Sequence, residues 1–216
     1  MHIQLSDQFT YKRLLRFTLP SIIMMIFTSV YGVVDGYFVS NYVGKTPFAA
    51  VNFIMPFLMI LGAVGFMFGT GGSALVAKTM GEGDDDKAKR LFSLFVYVSA
   101  VLGFVIAVLG IIFLRPVAAF LGAEGKMLED CVIYGRIILL ALPAFILQYE
   151  FQSFFVTAGK PQMGLIVTVA AGVTNMFLDA LLVAVFSLKL PGAAVATALS
   201  QCVGGIIPLI YFFRPN

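Results

Sequence analysis

Three acidic residues stand where the surrounding sequence offers no water: Asp35, Glu150 and Asp179. A carboxylate at bilayer depth costs at least ~2.5–3.5 kcal/mol on insertion scales, so its default reading is functional. Asp35 lies within about two turns of the outer end of its apolar stretch, where headgroup water is an alternative partner. Asp179 has no such outlet, because Met163 to Phe186 is apolar on both sides of it. Asn175 precedes Asp179 by one helical turn and shares its face, and Tyr31 stands in the same relation to Asp35. Thr197 opens the second turn of the last apolar stretch, at a similar depth. If these groups converge on one wet cavity, two crowded carboxylates repel each other, and proton uptake near neutral pH becomes possible. The same oxygens, with the Asn175 amide and the Thr197 hydroxyl, suit a sodium ion. An interhelical hydrogen-bond cluster that only holds the bundle together is the structural alternative.

The elements that must position these residues follow from composition. Of 216 residues, 60% are hydrophobic and 12% are charged, against roughly 25% charged in soluble domains. A water-soluble fold of this size could not hide that much apolar surface, and disorder has the opposite composition. The net charge of +3 is too small and too scattered for a nucleic-acid footprint, so no nucleic-acid partner is expected. Each crossing helix needs roughly 20 mostly apolar residues. Six stretches qualify, near 15–38, 51–77, 92–114, 133–157, 163–186 and 192–213. The expectation is an all-α integral membrane protein, a single six-transmembrane-helix bundle over residues 1–216 with the lipid bilayer as its surroundings. The first stretch is too long for a signal peptide and lacks a small-residue cleavage site.

Breaks between the spans carry nearly all the charge: Lys45, Lys78 to Arg90, Arg115 to Asp130, Lys160, Lys189 and Arg214. One side collects Lys12, Arg13, Arg16, Lys78, Lys87, Lys89, Arg90, Lys160 and Arg214. The other collects Lys45, Arg115, Lys126, Lys189 and Arg136 at the mouth of the fourth span. The positive-inside rule then places both termini in the cytoplasm of a multi-pass protein of the cell inner (plasma) membrane. Spans one and five run outward in that orientation, so both aspartates fall in the outer half. Pro20, Pro56, Pro143 and Pro208 lie within spans, and Gly62, Gly65, Gly69, Gly71 and Gly72 crowd the second. Such residues permit kinks or close helix contact.

Enzyme chemistry finds little footing. Ser73 follows Gly71-Gly72, but the single histidine is His2, outside the spans, so no Ser–His pair forms. Asp84 to Asp86, followed by Lys87, Lys89 and Arg90, reads as a solvated helix start rather than a metal site. Cys131 and Cys202 make neither a disulfide framework nor a zinc site. No Walker loop is present, which leaves an ion gradient as the energy source. The 22 Phe, 8 Tyr and 10 Met mostly face lipid or pack helices. Any turned inward suit bulky lipophilic cations through cation–π and adaptable Met contacts.

Several motifs carry a family resemblance. They are Leu19-Pro20 with Val33-Val34-Asp35-Gly36-Tyr37-Phe38-Val39-Ser40, Met80-Gly81-Glu82-Gly83-Asp84 to Ala88, and Ala158-Gly159-Lys160-Pro161. Asn175-Met176-Phe177-Leu178-Asp179 and Gly192-Ala193-Ala194-Val195-Ala196-Thr197 to Ser200-Gln201 complete the set. In this order and spacing the chain resembles the N-terminal lobe of a multidrug and toxic compound extrusion (MATE) transporter, nearest the drug-efflux branch of low-GC Gram-positive bacteria. The resemblance implies multidrug efflux by antiport of lipophilic cationic compounds against Na⁺ or H⁺, without catalysis and without a cofactor beyond the coupling ion. It implies an ion or proton site at Asp35, Asn175 and Asp179, which would hold Na⁺ if the coupling is to sodium. Ala193, Thr197 and Tyr31 complete that site. Glu150, Gln148 and Pro20 are candidate substrate-contact or gating positions.

Family members have twelve spans in two lobes, whereas this sequence carries six. A C-terminal lobe or a second copy in a homodimer is therefore the expected partner, or else the chain is a non-transporting half. A lipid-linked saccharide flippase of the same superfamily is the alternative activity. It should line its cleft with several Arg or Lys, and apart from Arg16 at the start of the first span only Arg136 lies inside a span.

Overall fold

The computed structural model describes residues 11–213, without the side chains at positions 12, 13, 16 and 17. His2 and Arg214, and the side chains of Lys12, Arg13 and Arg16 used above for orientation, lie outside the described residues. Seven α-helices follow one another: α1 (Tyr11–Phe38), α2 (Lys45–Gly81), α3 (Asp85–Phe120), α4 (Gly125–Leu140), α5 (Leu142–Thr157), α6 (Pro161–Asp179) and α7 (Lys189–Phe213). A π-helical turn, Val39–Val43, extends α1, and a second, Ala180–Val185, extends α6. No strand occurs among the described residues.

Five of these helices are long and apolar enough to cross a membrane alone, and α4 with α5 makes the sixth, bent by 56°. The expected fourth span, 133–157, is thus two helices. Pro143 is the second residue of α5. It has no N–H to give to the turn before it, and its ring crowds that turn. The chain breaks at Ala141, whose N–H bonds back to the Ile138 carbonyl at 3.0 Å. Several helices also outrun the expected spans into the charged rim. At the start of α3 the Asp84 side chain accepts the Lys87 N–H at 3.0 Å, and Asp85 and Asp86 fill the first turn. Carboxylates there satisfy free N–H groups and face the positive end of the helix dipole. Asp130, read above as part of a break, lies on α4 and is buried.

The glycines of α2 are mainly contact residues. A Cβ at Gly65 would stand 2.5 Å from the Ile146 carbonyl oxygen of α5, and one at Gly69 would stand 3.0 Å from Glu150 Cα. Gly62 lies against the Phe145 ring and Gly72 against Phe95, while Gly71 faces open space. Gly205 brings α7 onto the Ala144 backbone of α5 in the same way. Where lipid supplies no hydrophobic drive between helices, such close backbone approach is what holds them together. The bundle therefore centres on α5, with α2, α3 and α7 around it, and α1 rests mainly on α6. Toward the end that carries Lys78, Lys89, Arg90 and Lys160, the rings of Phe92, Phe151, Phe154, Phe155 and Phe212 interlock.

Candidate ion and ligand site

Both carboxylate helices change character at their acidic residue. Asp179 is the last residue of α6 before it widens into its π-helical turn, and Asp35 lies one turn before α1 does the same. Local π geometry swings side chains out of α-helical register and is frequent at functional positions. Here the two widened segments touch each other, and the Asp35 carboxyl lies against that of Asp179. Asp179 and Asn175 are 0% and 1% exposed. The Asn175 side-chain amide donates to the Thr197 hydroxyl of α7 at 3.5 Å. Ala193 sits one turn before Thr197 on α7 and is fully buried. Tyr31 lies near Asp35 on α1. The six residues singled out for the ion site thus come together from α1, α6 and α7.

The cluster is short of donors. Asp35 Oδ1, both Asp179 carboxylate oxygens and Asn175 Oδ1 are buried without a hydrogen-bond partner. No ion pair among the described residues reaches these carboxylates. A buried polar atom left unpaired costs about 1–3 kcal/mol, and more when charged. An oxygen-only set of this kind is completed by a proton or a hard cation rather than by a thiophilic metal. Among the described residues no group of three or more His, Cys, Asp or Glu is placed to hold a metal ion, so a cation here would rely on the amide and hydroxyl as well as the carboxylates.

A cavity of about 500 Å³ opens beside the cluster. Tyr31 and Thr197 line the cavity and neighbour the oxygen cluster behind its wall, whereas Asp35, Asn175 and Asp179 do not line it. The rest of the lining includes Met24, Phe66, Gln148 and Tyr149, and it holds no Asp, Glu, Lys or Arg. Gln148 has room there because Gly204 of α7 carries no side chain opposite it.

Against known proteins, residues 20–181 match the MatE family. The chain belongs to the MatE family. It is 31% identical over 206 residues to the multidrug export protein MepA of Staphylococcus haemolyticus, which covers 95% of this chain and 46% of that protein. To MepA of Staphylococcus aureus (strain MRSA252) it is 28% identical, covering 94% and 45%. Its fold superposes on a solved outward-facing multidrug resistance MATE family transporter of the MOP superfamily with a TM-score of 0.87. That match has 24% identity and covers 92% of this chain and 44% of the other. The chain spans about half the length of the curated relatives it matches, and its bundle is one lobe of the MATE architecture.

Three candidates lie elsewhere in this MatE lobe. Glu150 does not line the cavity; it is fully buried where α5 meets α2 and α3. Pro20 is buried in an unbroken α1, fifteen residues from Asp35 and so about 22 Å away along the helix. Gln148 reaches the cavity but not the oxygen cluster. Sequence reasoning missed Tyr134 of α4, 1% exposed, with an unpaired hydroxyl amid Asp35, Asp179 and Thr197. A tyrosine at the mouth of a span reads as an interfacial anchor, and nothing in its spacing marks it as inward-facing until α4 is seen to start early.

Proposed function

We propose that this chain is the ion-coupled lobe of a multidrug exporter that expels lipophilic cations in exchange for Na⁺ or H⁺. It acts by transport, not catalysis, in the plasma membrane with both termini in the cytoplasm. The observation that carries this reading is the buried, unpaired oxygen cluster that neighbours Tyr31 and Thr197 in the wall of a large uncharged cavity. With Asp35 and Asp179 unoccupied, their negative field favours a cation in the adjoining cavity. Its Met and aromatic walls adapt to a bulky apolar body. A proton or sodium ion at the carboxylates cancels that field and draws α1 and α6 together, so the drug is released. One charge moving down the membrane potential supplies ~2.3 kcal/mol per 100 mV, enough for a modest concentrating pump. A second six-span lobe, in the same polypeptide or from a second copy, closes the cleft. The lining holds no Lys or Arg for a phosphate, which disfavours the flippase reading.

Ethidium binding to the purified chain tests the site. Binding should weaken when Na⁺ replaces choline at constant ionic strength, or when pH is lowered. Asp179→Asn and Asp35→Asn should each abolish that ion sensitivity. If the dye still binds and both variants respond to Na⁺ and pH like the parent, the site assignment is wrong. With both lobes present in cells, Asp179→Asn should stop ethidium efflux.

A further inference from the structure

Among the described residues Glu150 and Asp130 are buried acids that the proposed coupling does not use, and Glu150 is the more deeply buried. It is 0% exposed, and neither carboxyl oxygen has a partner. The Ser99 hydroxyl of α3 lies against it, is also 0% exposed, and is equally unpaired. On the α2 side, Gly69 leaves so little space that a Cβ there would crowd Glu150 Cα at 3.0 Å.

Among the described residues no counter-charge is placed beside it. The basic residues of the packed neighbours are Lys45 and Lys78 on α2, Lys87, Lys89, Arg90 and Arg115 on α3, and Lys189 on α7, all toward helix ends. Lys78 stands nine residues from Gly69 and Arg90 nine from Ser99, about 13 Å along each axis. The charged groups of α4, namely Lys126, Glu129, Asp130 and Arg136, precede the bend at Ala141. The acids of α3, Asp85 and Asp86, cap its far end, and Asp179 of α6 belongs to the other cluster. Tyr149, the neighbour on α5, turns into the cavity. Among the described residues no titratable side chain faces the carboxyl.

An ionised carboxylate is strongly disfavoured there, because Glu150 is buried with only a serine hydroxyl beside it, whereas Asp179 has the Asn175 amide, the Thr197 hydroxyl and the Asp35 carboxyl around it to share a cation. A neutral acid removes the buried charge and supplies the donor that the Ser99 oxygen lacks. Its O–H donates to the Ser99 oxygen, and the Ser99 O–H is free to donate to the carboxyl's carbonyl oxygen or to the helix backbone.

We propose that Glu150 and Ser99 form a second protonation site, separate from Asp35 and Asp179, at which a resident proton pins α5 to α3 and α2. The proton acts as a structural ligand: removing it puts an uncompensated charge into the tightest seam of the bundle. α5 also carries Gln148 and Tyr149 into the cavity, so the state of this seam sets their position.

Glutamate labelled with ¹³C at its side-chain carboxyl isolates the group by infrared spectroscopy of the full chain, because Glu82, Glu124 and Glu129 are exposed. A labelled carboxylic-acid C=O stretch should be present at pH 7, vanish in Glu150→Gln and shift upward in Ser99→Ala. Melting measured against pH gives a second readout. The parent should lose stability at alkaline pH as the proton is removed, and Glu150→Gln should keep it. Because glutamine mimics the neutral acid, that variant should fold at neutral pH with a melting temperature near the parent's. A labelled carboxylate band alone at pH 7, or an acid band that survives in Glu150→Gln, overturns the proposal. So does an alkaline melting profile unchanged by that substitution.

Discussion

Replacing Gly65 by alanine tests whether α5 is held by direct backbone contact with α2. A Cβ there would stand 2.5 Å from the Ile146 carbonyl oxygen and 2.7 Å from Ile146 Cα. Both are backbone atoms, so no rotamer change relieves the clash. Ordinary contact begins near ~3.5 Å, and the helices must part by about 1 Å at this point. A gap of ~0.5–1 Å forfeits a quarter to a half of each neighbouring dispersion contact, and overpacking of this kind costs about 1–3 kcal/mol. Gly71 on the same helix is the control, since a Cβ there meets nothing within 4 Å. Both substitutions gain the same helix propensity, roughly 0.5–1 kcal/mol, which cancels when the two variants are compared. At ~2–4 °C per kcal/mol for a chain of this length, Gly65→Ala should melt about 2–12 °C below Gly71→Ala. A thiol-reactive dye reads the transition in a Cys202→Ser background, because the remaining Cys131 is 0% exposed until the bundle opens. Coincident melting of the two variants would show that the α2–α5 seam has slack and that the close-contact reasoning fails.

Two further substitutions probe the cluster and the turn above it. Tyr134→Phe deletes an unpaired buried hydroxyl, so stability without ligand should hold or rise, by up to about 1–3 kcal/mol. The Na⁺ or H⁺ concentration that half-stabilises the chain should shift all the same, and an unchanged ion titration would remove Tyr134 from the site. Gly44 joins the π-helical end of α1 to α2 with φ 121° and ψ 171°, a region essentially closed to residues with a Cβ. Gly44→Ala should lower stability by about 1–3 kcal/mol, read by the same melting assay, and no loss would mean the turn adopts another conformation.

The grouping of the buried oxygens was legible in the sequence because the membrane makes an acidic residue expensive and a helix makes i and i+4 neighbours. Those two facts alone align Asn175 with Asp179 and Tyr31 with Asp35, and the length of the apolar runs sets their common depth. What the sequence concealed has equally physical reasons. Ser99 is invisible because a serine satisfies itself on its own helix anywhere in a span, so nothing marks the one that meets Glu150. Asp130 stands beside a charged break, and only the early start of α4 shows that it points inward. Pro143 announces a disturbance but not its position, which depends on which turn must do without its N–H. The π-helical turns after Asp35 and Asp179 leave no compositional trace, since they arise from how α1 and α6 meet rather than from what either contains. Glu150 and Asp179 look alike in sequence; their different roles follow from which neighbours surround them.

That difference bears on coupling. In the apolar window of α1 and its π-helical turn 6% of residues are buried, against 28–39% for α2, α3, α6 and α7. α1 rests on α6 through Gly172, where Phe27 and Tyr31 press so closely that a Cβ would be only 3.1 Å from the Tyr31 ring. Asp35 is therefore positioned in this lobe chiefly by one joint, and Asp179 lies on the other side of that joint. A ligand shifts an equilibrium only by the difference in its affinity for the two states. On the proposed coupling, a proton or cation bound by oxygens of α1 and α6 together would lose half its partners if the joint opened, which would make its differential affinity large. The same ion held within α6 and α7 alone would bind both states equally and do no work. Tyr31 lies on α1 and lines the cavity, so the same proposal would have it carry any motion of α1 into the cavity wall. Glu150 has the opposite setting: α2, α3 and α5 are jammed against one another by missing side chains, there is no loose joint for its proton to bridge, and the proton locks the seam instead of driving it.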